Sequence, residues 1–468
     1  MLLQKRIEGC VAMIILVAGL PGTGKTSVAR ELSKKLGAEL LRSDVIRKEI
    51  LGKRTYAQEE KFAVYDEMFE RAERIKNVVL DATFYKEELR NRARKLANAL
   101  GTELFIVECV CPEELVKERL EKRYGDDSEA GYAAYKVVKR EFEPIKEWHI
   151  VTDTRKAPEE NAEKAATEIQ NQIQKEIVEA LKKPGAYPHP VKYVNVKETH
   201  ISWVFLTGDY AYKVKKAIKF NVVDYSALEK RRLFAEKELT LNKRLCAPIY
   251  ISVARIVKEN GTIKISDAGD AIEYALKMKE IQQEKLLSSM LEKNEVGKEL
   301  IERIAKIMVD FFNRTNGSDK KIVNNFIGLK KKFWDSCFVS VRDFRKPHED
   351  IENNVKGFFE DNKEILGKRI KEGKVKDLHG DAHSRNIFVD SGNIYIYDCI
   401  EFDDELRHED IAYEIAALAM DLDFHNRHDL SQHYIDTYLQ LSGDSDAIKL
   451  FPFYLCYWAY VRGMVTGF

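Results

Sequence analysis

Gly19-Leu20-Pro21-Gly22-Thr23-Gly24-Lys25-Thr26 fits the pattern G-x-x-x-x-G-K-[ST] at every fixed position, and its reading decides the architecture of the first part of the chain. The pattern describes a phosphate-binding loop. Glycines let backbone N–H groups turn toward an anion, the lysine reaches the outer phosphates, and the hydroxyl residue holds Mg2+. The flanks agree: Met13 to Ala18 is a β-branched run suited to a buried parallel strand, and Ser27 to Leu36 has helical spacing. Strand, glycine turn and helix in that order aim a helix N-terminus at phosphate. Gly19, Gly22, Thr23, Gly24, Lys25 and Thr26 are therefore the candidate nucleotide-binding set, with Lys25 also a candidate catalytic residue and Thr26 a candidate metal ligand. The apolar start behind Lys5 and Arg6 has the look of a signal peptide, but the glycine loop argues against that, and residues 1 to 12 are expected to be a dispensable extension.

A chain of 468 residues, 44% of them hydrophobic, is long for one core and can fill two. Lys+Arg and Asp+Glu both total 77, so no global field pulls the chain toward nucleic acid or an anionic membrane. The seven cysteines include no C-x-x-C pair, which is reduced, cytoplasmic usage. No apolar run approaches the roughly twenty residues that a bilayer span requires. A cytoplasmic protein with no membrane partner is expected.

Beyond the loop helix, Ala38 to Asp44 reads as a second strand ending in Asp44, with Arg47 one helical turn further on. A carboxylate at a strand's C-terminal end lies where open α/β sheets bind ligands. Asp44 is the candidate base for an acceptor hydroxyl, and Arg47 the candidate holder of an anionic substrate. Asn77 to Thr83 gives another apolar strand, whose Asp81 is positioned to help Mg2+ or its water. Leu104 to Val110 is a strand, and the helix from Pro112 carries Arg119, Lys122 and Arg123 into the polar break Tyr124-Gly125-Asp126-Asp127-Ser128, the composition of a lid. Ile150 to Thr154 supplies a last strand and Pro158 to Leu181 a long helix. Strands alternating with helices make a doubly wound parallel sheet.

Loop, S-D-x-x-R, L-D-A-T and arginine-bearing lid, in this order, resemble the P-loop kinases related to polynucleotide 5′-hydroxyl kinase and zeta toxins, over roughly residues 13 to 170. The resemblance implies phosphorylation of a hydroxyl group, with Asp44 activating the acceptor and Lys25, Thr26, Arg119 and Arg123 handling ATP. It leaves the acceptor open.

Lys182 to Pro190 concentrates three of the ten prolines, and a helix cannot run through it. Beyond it, Leu378-His379-Gly380-Asp381-Ala382-His383-Ser384-Arg385-Asn386 carries H-G-D-x-x-x-x-N. In kinase-like folds that aspartate accepts the hydroxyl proton and the asparagine binds Mg2+. Ile387 to Asp398 reads as a hairpin with a Ser391-Gly392 turn that returns Asp398 toward Asn386, bringing two oxygen ligands together. Upstream, Ala211-Tyr212-Lys213 resembles the kinase strand whose lysine pairs the inner phosphates, and the helix from Ser226 to Leu245 offers Glu238 or Glu236 to it. Glu238 is preferred, because Glu238 to Pro248 has the spacing seen in protein-kinase-like lobes. Lys215 is a rival for Lys213, since both lie on one strand face. Ile272 to Met278 is expected to link two lobes and offer backbone groups to adenine.

From about residue 185 to 468 the chain resembles the aminoglycoside phosphotransferase branch of the protein-kinase-like superfamily. The run from Glu198 to Lys215, with Asp398-Cys399-Ile400-Glu401-Phe402, is especially similar to fusions of such a domain with an ATP-binding one, which usually carry the P-loop half last. Three signatures are missing from these residues: D-F-G, A-P-E and G-x-G-x-x-G. Protein phosphorylation is therefore disfavoured. On the same resemblance Asp410 would brace the catalytic loop, and the C-terminal lobe, ending at Phe468, is expected to be abridged.

The expectation is thus an α/β doubly wound P-loop domain over residues 1–175, followed by an α+β bilobal protein-kinase-like domain over 185–468. Each would hold ATP with Mg2+ and phosphorylate a small-molecule hydroxyl. The catalytic candidates are Asp381, Asp44, Lys25 and Lys213, and the metal candidates are Thr26, Asp81, Asn386 and Asp398. Two alternatives stand beside it. The first half could act on nucleic-acid ends, helped by basic stretches such as Lys330-Lys331-Lys332-Phe333-Trp334, or one half could bind ATP only to regulate the other.

Overall fold

The computed structural model describes residues 12–51, 58–122, 131–220, 223–259, 261–315, 357–358 and 360–467. Its first unit is a five-stranded sheet of β1 (Met13–Ala18), β2 (Glu39–Arg42), β3 (Asn77–Asp81), β4 (Glu103–Val110) and β5 (Ile150–Asp153), in the order β2-β3-β1-β4-β5. All four pairings are parallel. Every residue of β1 is buried, as a strand covered on both faces must be. Helices α1 (Lys25–Leu36) and α7 (Pro158–Leu181) cover one face; α3 (Gln58–Ala72) and α4 (Glu87–Leu100) cover the other. Helices α2 (Ser43–Leu51), α5 (Glu113–Glu121) and α6 (Tyr132–Glu141) lie near the carboxyl ends of the strands.

The second unit opens with a six-stranded antiparallel sheet in the order β12-β11-β13-β8-β7-β6. Its strands are β6 (Asn195–Glu198), β7 (Ser202–Leu206), β8 (Tyr210–Lys215), β11 (Tyr250–Glu259), β12 (Thr262–Ser266) and β13 (Ala271–Lys279). A small ribbon of β9 (Lys219–Phe220) and β10 (Val223–Asp224) precedes α8 (Leu228–Cys246), which packs on the sheet. The Ile272 to Met278 stretch is not a linker. It is the body of β13, bonded to β11 along its length and to β8 from Ala275 onward, so the backbone groups of Ala275 to Met278 are held by strands on both sides. The chain leaves the sheet only at Glu280, whose N–H donates to Asp209 O at 3.1 Å.

The rest is mainly helical: α9 (Leu287–Glu292), α10 (Lys298–Arg314), α11 (Lys363–Lys371), α12 (Asp404–Arg407), α13 (Ile411–Phe424), α14 (His428–Ser442) and α15 (Phe451–Gly467). Two ribbons interrupt it, β14 (Val375–Asp377) with β17 (His408–Asp410), and β15 (Ile387–Asp390) with β16 (Asn393–Ile396). Helix α13 is buried on nearly every side because α14 and α15 flank it. Among the described residues no helix is long and apolar enough to cross a membrane.

One hydrophobic core joins the two units. Ile169, Ile173, Ile177 and Leu181 of α7 pack with β1 and β4 residues of the first sheet and with Phe205, Tyr212 and Val214 of the second. Alternation on β8 sends Tyr212 and Val214 to this core, and Lys213 and Lys215 to the opposite face, beneath α8. A buried polar contact reinforces the junction. Gln174 of α7 donates to Lys215 O (2.9 Å) and to Glu273 (2.9 Å), and accepts from the Ala217 N–H (2.7 Å).

Candidate functional site

The glycine loop follows β1, the strand at which the sheet order changes direction, and it opens into the crevice beyond the strand ends. Gly19, Gly22 and Gly24 have φ of 140°, 80° and 83°, all in the region that disfavours a Cβ. Space enforces the same choice. A Cβ at Gly19 would lie 2.6 Å from the Cys109 carbonyl oxygen, and one at Gly22 would lie 2.8 Å from Leu120 Cγ. Leu20 O is the inner anchor of the loop, accepting from Thr23 Oγ1 (2.8 Å) and Lys25 Nζ (2.8 Å).

Thr26 Oγ1 donates to Asp81 Oδ2 at 2.7 Å, which joins the two candidate metal ligands of this half. Arg42 Nε stands 3.6 Å from the same oxygen. Burial raises the Asp81 pKa, and Lys25, Thr26 and Arg42 oppose that shift. Arg119 of α5 lies against Gly24, donating to Thr154 O (2.7 Å) and Thr154 Oγ1 (3.1 Å). Arg123 and the lid stretch Tyr124 to Ser128 lie outside the described residues, as do Lys330 to Trp334.

A cavity of about 570 Å3 joins the loop to Asp44, Arg47, Asp81 and Arg119. Asp44 does not end a strand. Strand β2 stops at Arg42, and Asp44 sits in the first turn of α2 with Arg47 NH1 at 3.3 Å from its Oδ1. The side chains still share one face, because a helical turn separates them. The cavity is completed by Lys61 and Tyr65 of α3 and by Tyr85, none of which belongs to a recognisable motif. Tyr65 OH contacts Thr83 Oγ1 (3.0 Å) and accepts from the Phe84 N–H (3.1 Å), and burial pushes its pKa up to about 12.

The second cluster lies where β8, α8, the loop of 379–386 and the segment after β16 meet. Lys213 Nζ is held between Glu238 Oε1 (2.8 Å) and Asp398 Oδ1 (2.7 Å). Burial opposes its charge, but Asp398 and Glu238 together keep its pKa well above the ordinary lysine value. Glu238 is fully buried and shared: its Oε2 takes Lys215 Nζ at 2.6 Å. Lys215 also pairs with Glu401, which accepts from Tyr225 OH at 2.6 Å. Burial raises the Glu238 pKa less than Lys213 and Lys215 lower it, leaving it at about 2. Glu236 points elsewhere, 3.6 Å from Arg232.

The two-residue turn Ser391-Gly392 has φ of 50° and 79°, as a tight hairpin requires. It brings Tyr397 N–H to Asn386 O at 2.9 Å, so Asp398 follows directly beside Asn386. Asp398 itself has φ 63°, a left-handed conformation held by Tyr250 OH, which accepts from its N–H at 3.1 Å. Asn386 Nδ2 donates both to Asp381 O (2.9 Å) and to Asp381 Oδ2 (3.1 Å), so its carbonyl oxygen is the atom left for a cation. His383 stands 3.5 Å from Asp381 and 3.0 Å from Arg462 of α15. Burial raises the Asp381 pKa, but His383 and Arg462 outweigh it and hold the carboxyl ionised. Asp410 does not touch the loop: it caps α13 through Ala412 N–H (2.8 Å) and pairs with Arg369 at 2.7 Å. Tyr225 and Tyr250 were not singled out by the sequence, since each reaches the cluster from a separate segment, and Glu401 was quoted only within the run Asp398 to Phe402, with no role of its own.

Residues 14–145 match a protein-family model described as an AAA domain. Uncharacterised proteins of Mycobacterium tuberculosis (strain ATCC 25618 / H37Rv) and Mycobacterium bovis are 31% identical over 290 residues, covering 59% of this chain and 56% of theirs. The chain thus spans about half the length of the curated relatives it matches. Among solved structures, a Sinorhizobium meliloti gluconokinase is similar at 17% identity, over 37% of this chain and 98% of that one, with a TM-score of 0.30. An APS kinase from Mycobacterium tuberculosis is similar at 18% identity, over 36% and 99%, with a TM-score of 0.29. The parallel sheet, the glycine loop and the family match make the first unit a P-loop domain. The second unit carries a mostly antiparallel sheet and a helical part.

Proposed function

We propose that the chain is a two-site, ATP-dependent phosphotransferase acting on hydroxyl groups of small molecules. In the first site Lys25, the glycine loop and Arg119 would take the phosphates, and Asp44 the acceptor proton, with Arg47 orienting an anionic acceptor. In the second, a bilobal kinase-like unit, Lys213 would take the inner phosphates and Asp381 the proton. The donor sets suit Mg2+: hydroxyl and carboxylate at Thr26 and Asp81, amide carbonyl and carboxylate at Asn386 and Asp398. When bound there, the ion would screen phosphate charge. In each transfer the acceptor oxygen bonds to the γ-phosphorus, the bond from that phosphorus to the ADP oxygen breaks, and the hydroxyl proton passes to the carboxylate. ADP leaves.

The observation that carries the two-site reading is Lys213, held between Glu238 and Asp398 while Asn386 holds Asp381. A lysine tied to a helix glutamate and a metal-site aspartate, beside a base, is the arrangement phosphoryl transfer needs. The test is transfer from γ-labelled ATP by the full chain to a panel of sugars, nucleosides, aminoglycosides and RNA ends. Two activities are expected, one lost in Asp44→Asn and the other in Asp381→Asn. Labelling of RNA ends alone, or ATP binding with no acceptor labelled, would replace this reading.

A further inference from the structure

The ladder between β8 and β13 ends at the pair Val214 and Ala275. Beyond it the amide of Gln174, a buried side chain of α7 in the first unit, stands in for the missing rungs. It donates to Lys215 O (2.9 Å) and to Glu273 Oε2 (2.9 Å) and accepts from the Ala217 N–H (2.7 Å), so both of its polar atoms are engaged. Glu273, itself fully buried, passes the contact on to α8: its two oxygens take Arg231 Nε at 2.8 Å and 3.0 Å. Arg231 is buried too, and its NH2 donates to Gln170 Oε1 at 3.2 Å. Gln170 and Gln174 lie one turn apart on one face of α7. The first unit therefore grips both the end of β8 and the helix packed over it.

Those two elements carry the second cluster. Lys213 precedes Lys215 on the same face of β8, and Glu238 lies about two turns beyond Arg231 on α8. Lys215 Nζ occupies Glu238 Oε2 and so leaves Oε1 to Lys213. We propose that Gln174 is a positioning residue for nucleotide at the second site: from the P-loop unit it sets the end of β8 against α8, and thereby the Lys213–Glu238 pair that would meet the inner phosphates. This rests on the reading of Lys213 as a nucleotide ligand. It makes the second site a composite of both units, because the partners of Lys215 O and of the Ala217 N–H come from α7. Without that amide both groups lose a partner where no solvent reaches them, and only a shift of β8 can satisfy them.

The test is calorimetric titration of the full chain with a non-hydrolysable ATP analogue and Mg2+. In the Lys25→Ala chain, where only the second site remains, Gln174→Met keeps the side chain's volume but removes its hydrogen bonds, and should weaken binding about tenfold. Glu238→Gln should weaken it as well, and the two together should bind no worse than the weaker of the single variants, because both act through Lys213. In the Lys213→Ala chain, Gln174→Met should leave first-site binding unchanged. Second-site binding that survives Gln174→Met, or losses that multiply when it is combined with Glu238→Gln, overturns the positioning role alone. Loss of first-site binding too would show that Gln174 merely holds the fold together, and overturns it equally. If the Lys25→Ala chain binds no analogue, or still binds it after Lys213→Ala is added, the reading of Lys213 falls and this proposal with it.

Discussion

The glycine loop of the first unit is shaped by its own backbone, whereas the Lys213 cluster is assembled from side chains of four separated segments. In the loop, three left-handed glycines and a carbonyl anchor at Leu20 make the cradle, and side chains supply two outer contacts, Thr26 to Asp81 and Arg119 to Thr154. In the cluster, two lysines share one fully buried glutamate, and two further carboxylates complete the charge balance. The first design fails by steric intrusion and the second by an uncompensated charge. Substitutions at the two should therefore differ in kind as well as size.

The largest effect is expected in the cluster. Glu238→Ala leaves Lys213 and Lys215 buried without their shared partner, a loss of about 3–5 kcal/mol of stability. Denaturant unfolding of the full chain checks it. A change below about 1 kcal/mol, the worth of an exposed pair, would mean the cluster is wetter than its burial implies. The loop should respond more gently in stability and more sharply in binding. Gly19→Ala and Gly22→Ala each force a Cβ into a left-handed site at roughly 1–2 kcal/mol, with contacts of 2.6 Å and 2.8 Å added. Nucleotide binding by the first site should be lost in both. At Gly24 the nearest contacts are 3.3 Å, and one is the end of the Arg119 side chain, so Gly24→Ala should bind more tightly than the other two.

This contrast also explains what the sequence revealed. A loop of contiguous residues leaves its backbone shape in one line of text, so the turn from Gly19 to Thr26 could be read directly. Asp81 was legible because a strand's carboxyl end has a fixed place in a parallel sheet. Strand alternation put Lys213 and Lys215 on one face, but it could not choose between them, and the structure gives both to Glu238. Tyr225 reaches that cluster only through folding, and no spacing announces it, while Glu401 follows Asp398 by three residues and gains its lysine only in the folded chain. The misread stretches have similar causes. Ile272 to Met278 has the alternation of a strand, and only its pairing with β11 throughout and with β8 from Ala275 shows that it lies within the sheet. Asp410, the N-cap of α13, and Glu414 on that helix lie one turn apart, so only side-chain contacts show that Glu414 is the one that accepts the Gly380 N–H.

The pH response sharpens the comparison further. Glu238 falls from an ordinary 4.5 to about 2 in the folded chain. Its depressed value contributes stability that is present above the unfolded pKa and is lost as pH falls through the folded one. Unfolding free energy should therefore decline across the interval between those two values, and Glu238→Gln should remove that part of the decline. The smallest effect is expected at the rejected rival. Glu236 meets Arg232 at the surface, so Glu236→Ala should change stability by at most about 0.5 kcal/mol and leave ATP handling intact.

The central claim, that two differently built sites each hold a nucleotide, is tested most directly by calorimetric titration of the full chain with a non-hydrolysable ATP analogue and Mg2+. Two bound equivalents are predicted, falling to one in Lys25→Ala, to one in Lys213→Ala and to none in the double variant. A single equivalent in the unaltered chain, or a Lys213→Ala chain that still binds two, would contradict it.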